Sequence, residues 1–248
     1  MSSATGTLPE TQVQAMFDRI ARVYDRLNTV MTAGLDRHWR RRAADLAGVS
    51  PGDPVLDVAT GTGDLAVELR RRVGPDARVV GLDFSEGMLE LARVKEPGIE
   101  FVQGSALELP YADAEFAATT VGFGARNFSD LSLGLSEMAR VVRPGGRVVV
   151  LEITTPQKPP LSVFFRLWFD RVVPVLGRLA GDSEAYTYLP SSVRRFPGPE
   201  PLAAHLAAAG LVDVGWVLTA GGIIALHHGT VPAVRKQPAR PAAQRGSS

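Results

Sequence analysis

The chain has 248 residues, of which 45% are hydrophobic, and this is enough for one large core or two modest domains. Lys and Arg total 27 against 26 acidic residues, so no strong positive charge indicates a nucleic-acid partner. The absence of cysteine excludes disulfides and thiolate metal sites, and it favours the reducing cytoplasm. The first residues lack the apolar run of a secretory signal, and no uncharged apolar stretch of about 18 residues predicts a membrane span.

Residues 1–9 are small and polar, and we interpret them as a flexible arm. Helical periodicity over residues 10–47 predicts helices before the first strand. Beyond these helices, short apolar runs alternate with helical patterns, which predicts a parallel sheet with helices on both faces. The predicted strands are 55–59, 78–83, 99–103, 116–121 and 147–153. The predicted helices are 64–73, 86–95 and 130–142, the last one ending at the turn Arg143-Pro-Gly-Gly146.

The C-terminal part departs from this alternation. Residues 156–198 are predicted to form a helical insertion before the last strand pair. In residues 211–229, LVDVGWVL and IIALHHG flank a glycine-bearing turn, which predicts two antiparallel strands. The tail 232–248 has four positive residues and no acids, and we interpret it as a disordered basic segment. The sequence thus predicts a single α/β domain over 10–231, with a doubly wound, mostly parallel seven-stranded sheet whose last strand is antiparallel.

The stretch VLDVATGTGD at 55–64 predicts a nucleotide-binding turn between a strand and a helix. Gly61 and Gly63 let the backbone turn tightly beside a ligand, and the following helix presents free N–H groups to it. Asp83 lies 20 residues after Gly63, at the end of the second strand. A carboxylate there can accept hydrogen bonds from both ribose hydroxyls of an adenosine. These features fit NAD and S-adenosylmethionine equally.

Two further acids, Asp57 and Asp64, favour S-adenosylmethionine. A carboxylate at Asp64 would repel the pyrophosphate of a dinucleotide at the helix N-terminus. S-adenosylmethionine carries no phosphate but has a sulfonium and an ammonium group, and Asp57 is well placed to hold its amino-acid end. Two structural interpretations stay open: Asp64 stabilises its helix N-terminus, and Asp57 fixes the loop.

Several longer segments carry a family resemblance: MFDRIARVYDRLN (16–28), GLDRHWRRR (34–42), DVATGTGDLA (57–66), LDFSEGML (82–89), ALELPYADAEF (106–116), GFGARNF (122–128), RVVRPGGRVVVLE (140–152) and LTAGGIIALHHG (218–229). Over about residues 12–230 the chain resembles the class I methyltransferases, and more narrowly the menaquinone/ubiquinone biosynthesis C-methyltransferases. The resemblance implies a Rossmann-like fold and S-adenosyl-L-methionine as the cofactor. It also implies a prenylated quinol as the acceptor, above all demethylmenaquinol, which would become menaquinol.

The resemblance also implies roles for single residues. Thr62 would lie against the cofactor, and Ser105 and Ala106 would flank its adenine. Gly122 stands where many relatives have Ser, so a hydroxyl contact to the cofactor would be missing. Ala125 stands where they have Leu, and the smaller side chain would widen the acceptor pocket. The complete predicted cofactor site is Asp57, Gly61, Thr62, Gly63, Asp83, Phe84, Ser105, Ala106 and Gly122.

Methylation of a quinol ring carbon needs a deprotonated hydroxyl, because the phenolate pushes charge onto the adjacent carbon. Arg126 would favour the phenolate, Asn127 would orient the second oxygen or a relay water, and Tyr24 would donate a hydrogen bond to the acceptor. These three are the predicted catalytic residues. His227 and His228 are adjacent in a predicted strand and point to opposite faces, so they do not form a chelating pair, and we predict no metal site.

Other functions stay open at this point. A methyltransferase acting on another phenol, such as a polyketide, would share every cofactor residue. A nucleic-acid amino-methyltransferase is disfavoured because Val121-Gly-Phe-Gly124 stands where a polar Pro-Pro-aromatic stretch is needed. A nicotinamide oxidoreductase and a cofactor-binding protein without turnover also remain.

The apolar insertion 161–180 has three interpretations: it roofs a pocket for a prenyl tail, rests on the inner face of the membrane as a peripheral contact, or is an ordinary packed helix pair. A homodimer also stays open.

Overall fold

The computed structural model describes residues 10–32, 34–172 and 183–233. The helices are α1 (Glu10–Thr32), α2 (Asp36–Leu46), α3 (Asp64–Val73), α4 (Glu86–Lys95), α5 (Leu131–Arg140), α6 (Leu161–Leu167), α7 (Ser183–Arg195) and α8 (Pro199–Ala208). The strands are β1 (Val55–Val58), β2 (Val79–Asp83), β3 (Glu100–Gln103), β4 (Phe116–Gly122), β5 (Val142–Ile153), β6 (Val212–Thr219) and β7 (Ile224–Thr230). The predicted arm 1–9 and the tail from residue 234 onward lie outside the described residues.

The seven strands form one sheet in the order β3-β2-β1-β4-β5-β7-β6. The pairs from β3 to β5 are parallel, whereas β7 runs antiparallel to both β5 and β6. The strand order reverses between β1 and β4, so the loops after these two strands diverge and leave a crevice at the carboxyl edge of the sheet. This arrangement confirms the predicted doubly wound α/β fold with its antiparallel last strand.

Helices cover both faces of the sheet because its central strands are apolar on both sides. β1 and β2 are buried along their whole length. On one face, Leu135 and Met138 of α5 and Leu206 of α8 pack in the core. On the other face, Leu69 of α3 and Leu89 of α4 pack with residues of α2. The sheet is therefore rigidly held, and it fixes the positions of the loops at its edge.

One predicted boundary is wrong. Helix α5 ends at Arg140, and β5 begins at Val142, so the RPGG stretch lies inside a strand and does not terminate the helix. The pairing moves from Val142 opposite Phe116 to Arg147 opposite Ala118, and the residues between them bulge out. A Cβ on Gly146 would lie 2.3 Å from the carbonyl oxygen of Ala117, so the close approach of the two strands requires glycine here.

Helix α1 lies across the carboxyl edge of the sheet and is fastened to the end of β2. Gln14 Nε2 donates a hydrogen bond to the Phe84 carbonyl oxygen at 2.7 Å, and Ser85 Oγ donates to the Asp18 carboxylate at 2.5 Å. Val13, Met16 and Ile20 of α1 pack in a small core with Met88 of α4 and Tyr188 of α7. Helix α1 is therefore held against α4, α7 and the segment that follows β2.

Within the predicted insertion, the described residues form α6, a π-helical turn at Trp168–Val172, and α7. Phe165 of α6 is buried, whereas Phe164 and Leu167 are exposed by 55% and 54%. Among the described residues, no helix is long and apolar enough to cross a membrane.

Candidate active site

The loops after β1, β2, β3 and β4 line a cleft at the carboxyl edge of the sheet, which we call the cofactor cleft. Eight of the nine predicted cofactor residues lie in its wall. These are Asp57, Gly61, Thr62, Asp83, Phe84, Ser105, Ala106 and Gly122.

The ninth, Gly63, does not line the cleft. A Cβ on Gly63 would lie 2.9 Å from Phe101 Cζ, and its φ of +83° is a left-handed conformation, so packing and backbone require this glycine. Gly61, in contrast, has open space around the position of a Cβ, on the side of the cleft. The two glycines of the motif therefore serve different purposes.

Asp83 is buried at the end of β2 and holds the glycine turn. Its carboxylate accepts hydrogen bonds from the backbone N–H of Gly61 at 2.7 Å and of Ser85 at 2.9 Å. Burial raises the pKa of Asp83 to about 6, although these N–H donors oppose the shift. Each carboxylate oxygen can accept two hydrogen bonds, so Asp83 can fix the turn and also accept from a ribose.

Asp57 is buried in the cleft wall and connects β1 with β4. Its carboxylate accepts hydrogen bonds from the hydroxyls of Thr60 at 2.7 Å and Thr120 at 2.5 Å. Burial raises the pKa of Asp57 to about 6 as well. Two buried carboxyls with raised pKa values favour a cationic ligand, because a positive charge stabilises their ionised form. This part of the cleft therefore fits the sulfonium and ammonium groups of S-adenosylmethionine.

Asp64 has its charge compensated by the protein itself. Its carboxylate lies 2.7 Å from Lys95 Nζ and 3.6 Å from Arg40 Nη2. Lys95 also donates a hydrogen bond to Thr62 Oγ1 at 3.1 Å. The expected repulsion between Asp64 and a pyrophosphate is therefore weaker than the sequence suggested, and the preference for a cation rests on Asp57 and Asp83.

A second cavity, of about 290 Å³, adjoins the cofactor cleft, and we call it the acceptor cavity. It lies between α1, α2, α6, the π-helical turn, α7 and the ends of β5 and β7. Most of its wall is apolar and includes Met16, Ile20, Trp39, Phe165, Trp168 and Ile224. Polar side chains contribute Asn28, Thr32, Asp36, Arg40, Arg126 and Tyr188. An apolar cavity with a few polar groups is suited to a hydrophobic ligand that has a polar head.

The predicted catalytic residues Arg126 and Asn127 lie in a 3₁₀ turn (Ala125–Asn127) after β4, but they face different spaces. Arg126 lines the acceptor cavity, whereas Asn127 lines the cofactor cleft. Arg126 Nη1 forms a buried ion pair with Glu152 Oε1 of β5 at 2.8 Å and donates a hydrogen bond to the Phe123 carbonyl oxygen. Burial raises the pKa of Glu152, and the nearby guanidinium opposes that shift. Arg126 is thus held in one orientation.

Asn127 Oδ1 accepts a hydrogen bond from the Tyr188 hydroxyl at 3.2 Å. This contact joins the turn after β4 to α7, and Tyr188 also lines the acceptor cavity. The third predicted catalytic residue, Tyr24, belongs to α1, but its side chain lies outside the described residues.

Three side chains line both spaces: Phe17 of α1, Arg40 of α2 and Phe123 after β4. The Arg40 guanidinium lies 5.7 Å from the centroid of the Phe123 ring. None of the three was predicted as a site residue from the sequence, although all three fall in the segments that carry the family resemblance. The sequence did contain an indication for Arg40. Asp36 and Arg40 are four residues apart in a predicted helix, so they share one helix face and can form an ion pair.

Burial places Ala125 and His227 away from both spaces. Ala125 is fully buried in the core and does not line the acceptor cavity, so it cannot widen that cavity directly. His227 is fully buried, and its Nε2 lies 2.9 Å from the Pro199 carbonyl oxygen, so it contacts neither space. Within the described ranges, no group of three His, Asp or Glu side chains could hold a metal ion.

The model of the ubiE/COQ5 methyltransferase family matches residues 5–231. The chain belongs to this family. A demethylmenaquinone methyltransferase from Thermus thermophilus is 47% identical over 222 residues, covering 88% of this chain and 100% of the relative. One from Deinococcus radiodurans is 51% identical, covering 80% of this chain and 84% of the relative. Family membership confirms the prediction of an S-adenosylmethionine-dependent C-methyltransferase of quinone biosynthesis.

Solved structures confirm the fold. The cyclase SpnF matches with a TM-score of 0.67 at 17% identity, covering 94% of this chain and 100% of its own. An S-adenosylmethionine-dependent methyltransferase from Thermotoga maritima matches with a TM-score of 0.62 at 18% identity, covering 88% of this chain and 98% of the methyltransferase. Because this fold serves both a cyclase and a methyltransferase, the acceptor must be inferred from the site itself.

Proposed function

We propose that this protein transfers the methyl group of S-adenosylmethionine to a ring carbon of demethylmenaquinol and so forms menaquinol. The observation that carries the proposal is the junction of two spaces of opposite character. A cleft with two buried carboxylates adjoins an apolar cavity of about 290 Å³ that has guanidinium groups in its wall. The names of the relatives from Thermus thermophilus and Deinococcus radiodurans support the same acceptor.

S-adenosylmethionine, when bound, supplies an electrophilic methyl group on a positively charged sulfur. In the cleft, Asp83 would accept hydrogen bonds from the ribose hydroxyls, and Asp57 would stabilise the positive amino-acid end. Both carboxylates are already oriented by the protein, Asp83 by backbone N–H groups and Asp57 by two threonine hydroxyls. This preorganisation lowers the cost of holding the methyl donor in one position.

In the cavity, Arg126 would stabilise the negative charge that develops on the quinol oxygen. Its guanidinium cannot turn away easily, because Glu152 and the Phe123 carbonyl oxygen hold it. A fixed cation in an apolar wall stabilises an anion more strongly than one in water does. Asn127, oriented by Tyr188, lies on the cofactor side of the same turn and would position a water or the second oxygen.

The apolar wall of the cavity would take the naphthalene ring and the first units of the prenyl chain, and it would exclude water from the reacting carbon. Its edge reaches the molecular surface at α6. Phe164 lines the cavity and is itself exposed by 55%, and Leu167 of the same helix is exposed by 54%. Arg166 of α6 and Arg171 of the following π-helical turn are also exposed. We propose that this patch of α6 rests on an anionic lipid surface, from which the prenylated quinol enters the cavity.

The acceptor is tested by methyl transfer from labelled S-adenosylmethionine to reduced demethylmenaquinone. We expect a product methylated at the ring carbon, and slower turnover with a naphthoquinol that lacks the prenyl chain. Equilibrium dialysis with NADH serves as a control for the cofactor. Absence of turnover with any quinol, or transfer to oxygen instead of carbon, would contradict the proposal.

The lipid contact is tested by co-flotation with phosphatidylglycerol vesicles. The double substitution Phe164→Ser/Leu167→Ser should reduce the bound fraction about fivefold, since two large apolar side chains no longer enter the interface. Leu133→Ser is the control, because Leu133 is 46% exposed on α5 and lines neither the cleft nor the cavity. Equal binding of the two variants would contradict a contact through α6.

A further inference from the structure

Methylation of the quinol requires a group that accepts the hydroxyl proton, and neither Arg126 nor Asn127 can do so at neutral pH. Among the described side chains that line the acceptor cavity, Asp36 is the acidic one. Glu152 is nearer to Arg126, but it is not part of the cavity wall. The chemistry of the cavity therefore points to the carboxylate of Asp36.

Asp36 is held in a defined orientation at the start of α2. Its Oδ1 accepts a hydrogen bond from Thr32 Oγ1 at 3.0 Å, and its Oδ2 accepts from the Arg40 guanidinium. The side chains of Asp36 and Arg40 are exposed by only 5% and 10%. Burial of an ion pair is costly, and an apolar pair of similar size would stabilise the fold equally well or better. Packing alone therefore gives no reason for a carboxylate at this point of the cavity wall.

The position of the ion pair relates Asp36 to the reaction. Arg40 lines both the cofactor cleft and the acceptor cavity, together with Phe17 and Phe123. A methyl group must pass from one space to the other across this shared wall. The carboxylate that pairs with Arg40 is thus next to the place where the quinol ring has to lie, and Arg40 compensates its charge.

We propose that Asp36 is the catalytic proton acceptor for the quinol hydroxyl, an inference that rests on the proposed function. The O–H bond breaks, the proton goes to the Asp36 carboxylate, and the remaining electron pair forms a phenolate stabilised by Arg126. The adjacent ring carbon forms a bond to the methyl group while the S–CH₃ electron pair returns to sulfur. The methylated carbon then loses its hydrogen as a proton to water, and the ring oxygen recovers a proton from Asp36. One proton is released in total.

The test compares Asp36→Asn and Asp36→Ala with a control on the same helix, Asp45→Asn. Asp45 pairs with Arg72 at 2.8 Å and is 66% exposed, so it lies outside both spaces. Calorimetry with S-adenosylhomocysteine shows whether each variant is folded and retains its cleft. We expect Kd to change less than about twofold in all three, while kcat with reduced demethylmenaquinone falls about 10²–10³-fold for both Asp36 variants only.

Two further measurements distinguish a proton acceptor from a structural ion pair. Formate should restore turnover to Asp36→Ala in a saturable manner, because a small carboxylate fits the space left by the side chain. A ring-fluorinated quinol, which ionises more readily, should narrow the difference between Asp36→Asn and the unmodified protein. A structural role predicts neither effect.

Turnover of Asp36→Asn within about threefold of the unmodified protein would overturn the assignment, as would a loss that neither formate nor the fluorinated quinol relieves. These results are distinct from failure of the proposed function, in which the unmodified protein itself methylates no quinol.

Discussion

The cofactor cleft and the acceptor cavity share a wall, but they are built in different ways. The cleft is formed by loops that follow β1 to β4, and hydrogen bonds from backbone N–H groups, such as that of Gly61 to the Asp83 carboxylate, orient its polar side chains. The cavity is formed by side chains of α1, α2, α6 and α7, which meet through apolar packing. The sheet positions the cleft directly, whereas the cavity depends on how separate helices pack against each other.

This difference separates affinity from turnover. Substitutions in the cleft should change how tightly the cofactor binds and leave the chemical step of the bound enzyme nearly intact. Substitutions in the cavity wall should slow the chemical step and leave cofactor affinity nearly unchanged. Four predictions follow this division, from the largest expected effect to the smallest.

Removal of Arg126 should have the largest effect, and it should appear in turnover. Arg126→Ala would leave the buried Glu152 without its cation, which costs about 3–5 kcal/mol of stability. The double substitution Arg126→Met/Glu152→Met avoids this cost, since it removes both charges and fills the same space. We expect kcat with reduced demethylmenaquinone to fall about 10²–10³-fold in the double variant, with Kd for S-adenosylhomocysteine nearly unchanged.

Glu152→Gln is the control for that experiment, because it keeps the guanidinium in the cavity. It leaves the buried Arg126 without its counter-ion, so thermal unfolding should first establish that the variant is folded at the assay temperature. It should retain most of the turnover. If the double variant turned over normally, Arg126 would be a structural ion pair and the cavity would need another group to stabilise the phenolate.

Asp83→Asn should weaken binding of S-adenosylmethionine by about 1.5–3 kcal/mol, or roughly 10–150-fold, through loss of a charge-assisted hydrogen bond to the ribose. Turnover at saturating cofactor should change little. Calorimetry with S-adenosylhomocysteine and its 2′-deoxy analogue separates a ribose contact from damage to the Gly61 turn. Equal losses for both ligands would mean that Asp83 acts only on the turn.

Alanine substitutions of Gly61 and Gly63 should have different effects on stability and cofactor affinity, although only one residue separates the two glycines. Gly63→Ala places a Cβ 2.9 Å from the Phe101 ring in a left-handed backbone conformation, so it should lower the free energy of unfolding by about 2 kcal/mol. Gly61→Ala meets no protein atom within 4 Å, so it should cost only about 1 kcal/mol of stability, from its positive φ. Its methyl group should instead reduce cofactor affinity. Thermal unfolding and calorimetry on both variants check this contrast.

The pH dependence of cofactor affinity should be the smallest effect. Burial raises the pKa values of Asp57 and Asp83 from 3.8 to about 6, so both carboxyls begin to take up protons as the pH falls towards 6. A cationic ligand favours their ionised forms, so Kd should rise about two- to fourfold between pH 8 and pH 6. Calorimetry at the two pH values measures the change, which Asp83→Asn should reduce.

In the cofactor-free protein, the same two carboxyls make the fold less stable as the pH rises, whereas they make cofactor binding tighter. Between pH 3.8 and about 6 the folded chain holds protons that the unfolded chain has lost. Their contribution to stability is therefore present at low pH and is lost as the pH rises through about 6. A cofactor-free protein that became more stable through this pH range on account of these groups would contradict the shifts.

The cleft could be predicted from the sequence because its signals are local. The glycine turn and Asp83 stand at a fixed spacing along the chain, and each follows a strand whose apolar run is easy to identify. Two details required the structure. Gly63 packs against Phe101, which belongs to a strand far along the chain, and Lys95 and Arg40 compensate the charge of Asp64.

The acceptor cavity could not be predicted in the same way. Met16, Phe165 and Ile224 line one space although more than 50 residues separate each from the next, and no local pattern relates them. Arg126 was predicted as a site residue, but the sequence did not indicate that Glu152 is its buried partner. The involvement of Asp36 also required the cavity, because an acid and an arginine one helical turn apart are common on solvated helices.

Phe17, Arg40 and Phe123 line both spaces, so the two ligands would contact the same three side chains. A shift of these side chains on binding of one ligand would change the free energy with which the other binds, and such a coupling is reciprocal. The affinity for the quinol should therefore depend on whether the methyl donor or its demethylated product occupies the cleft.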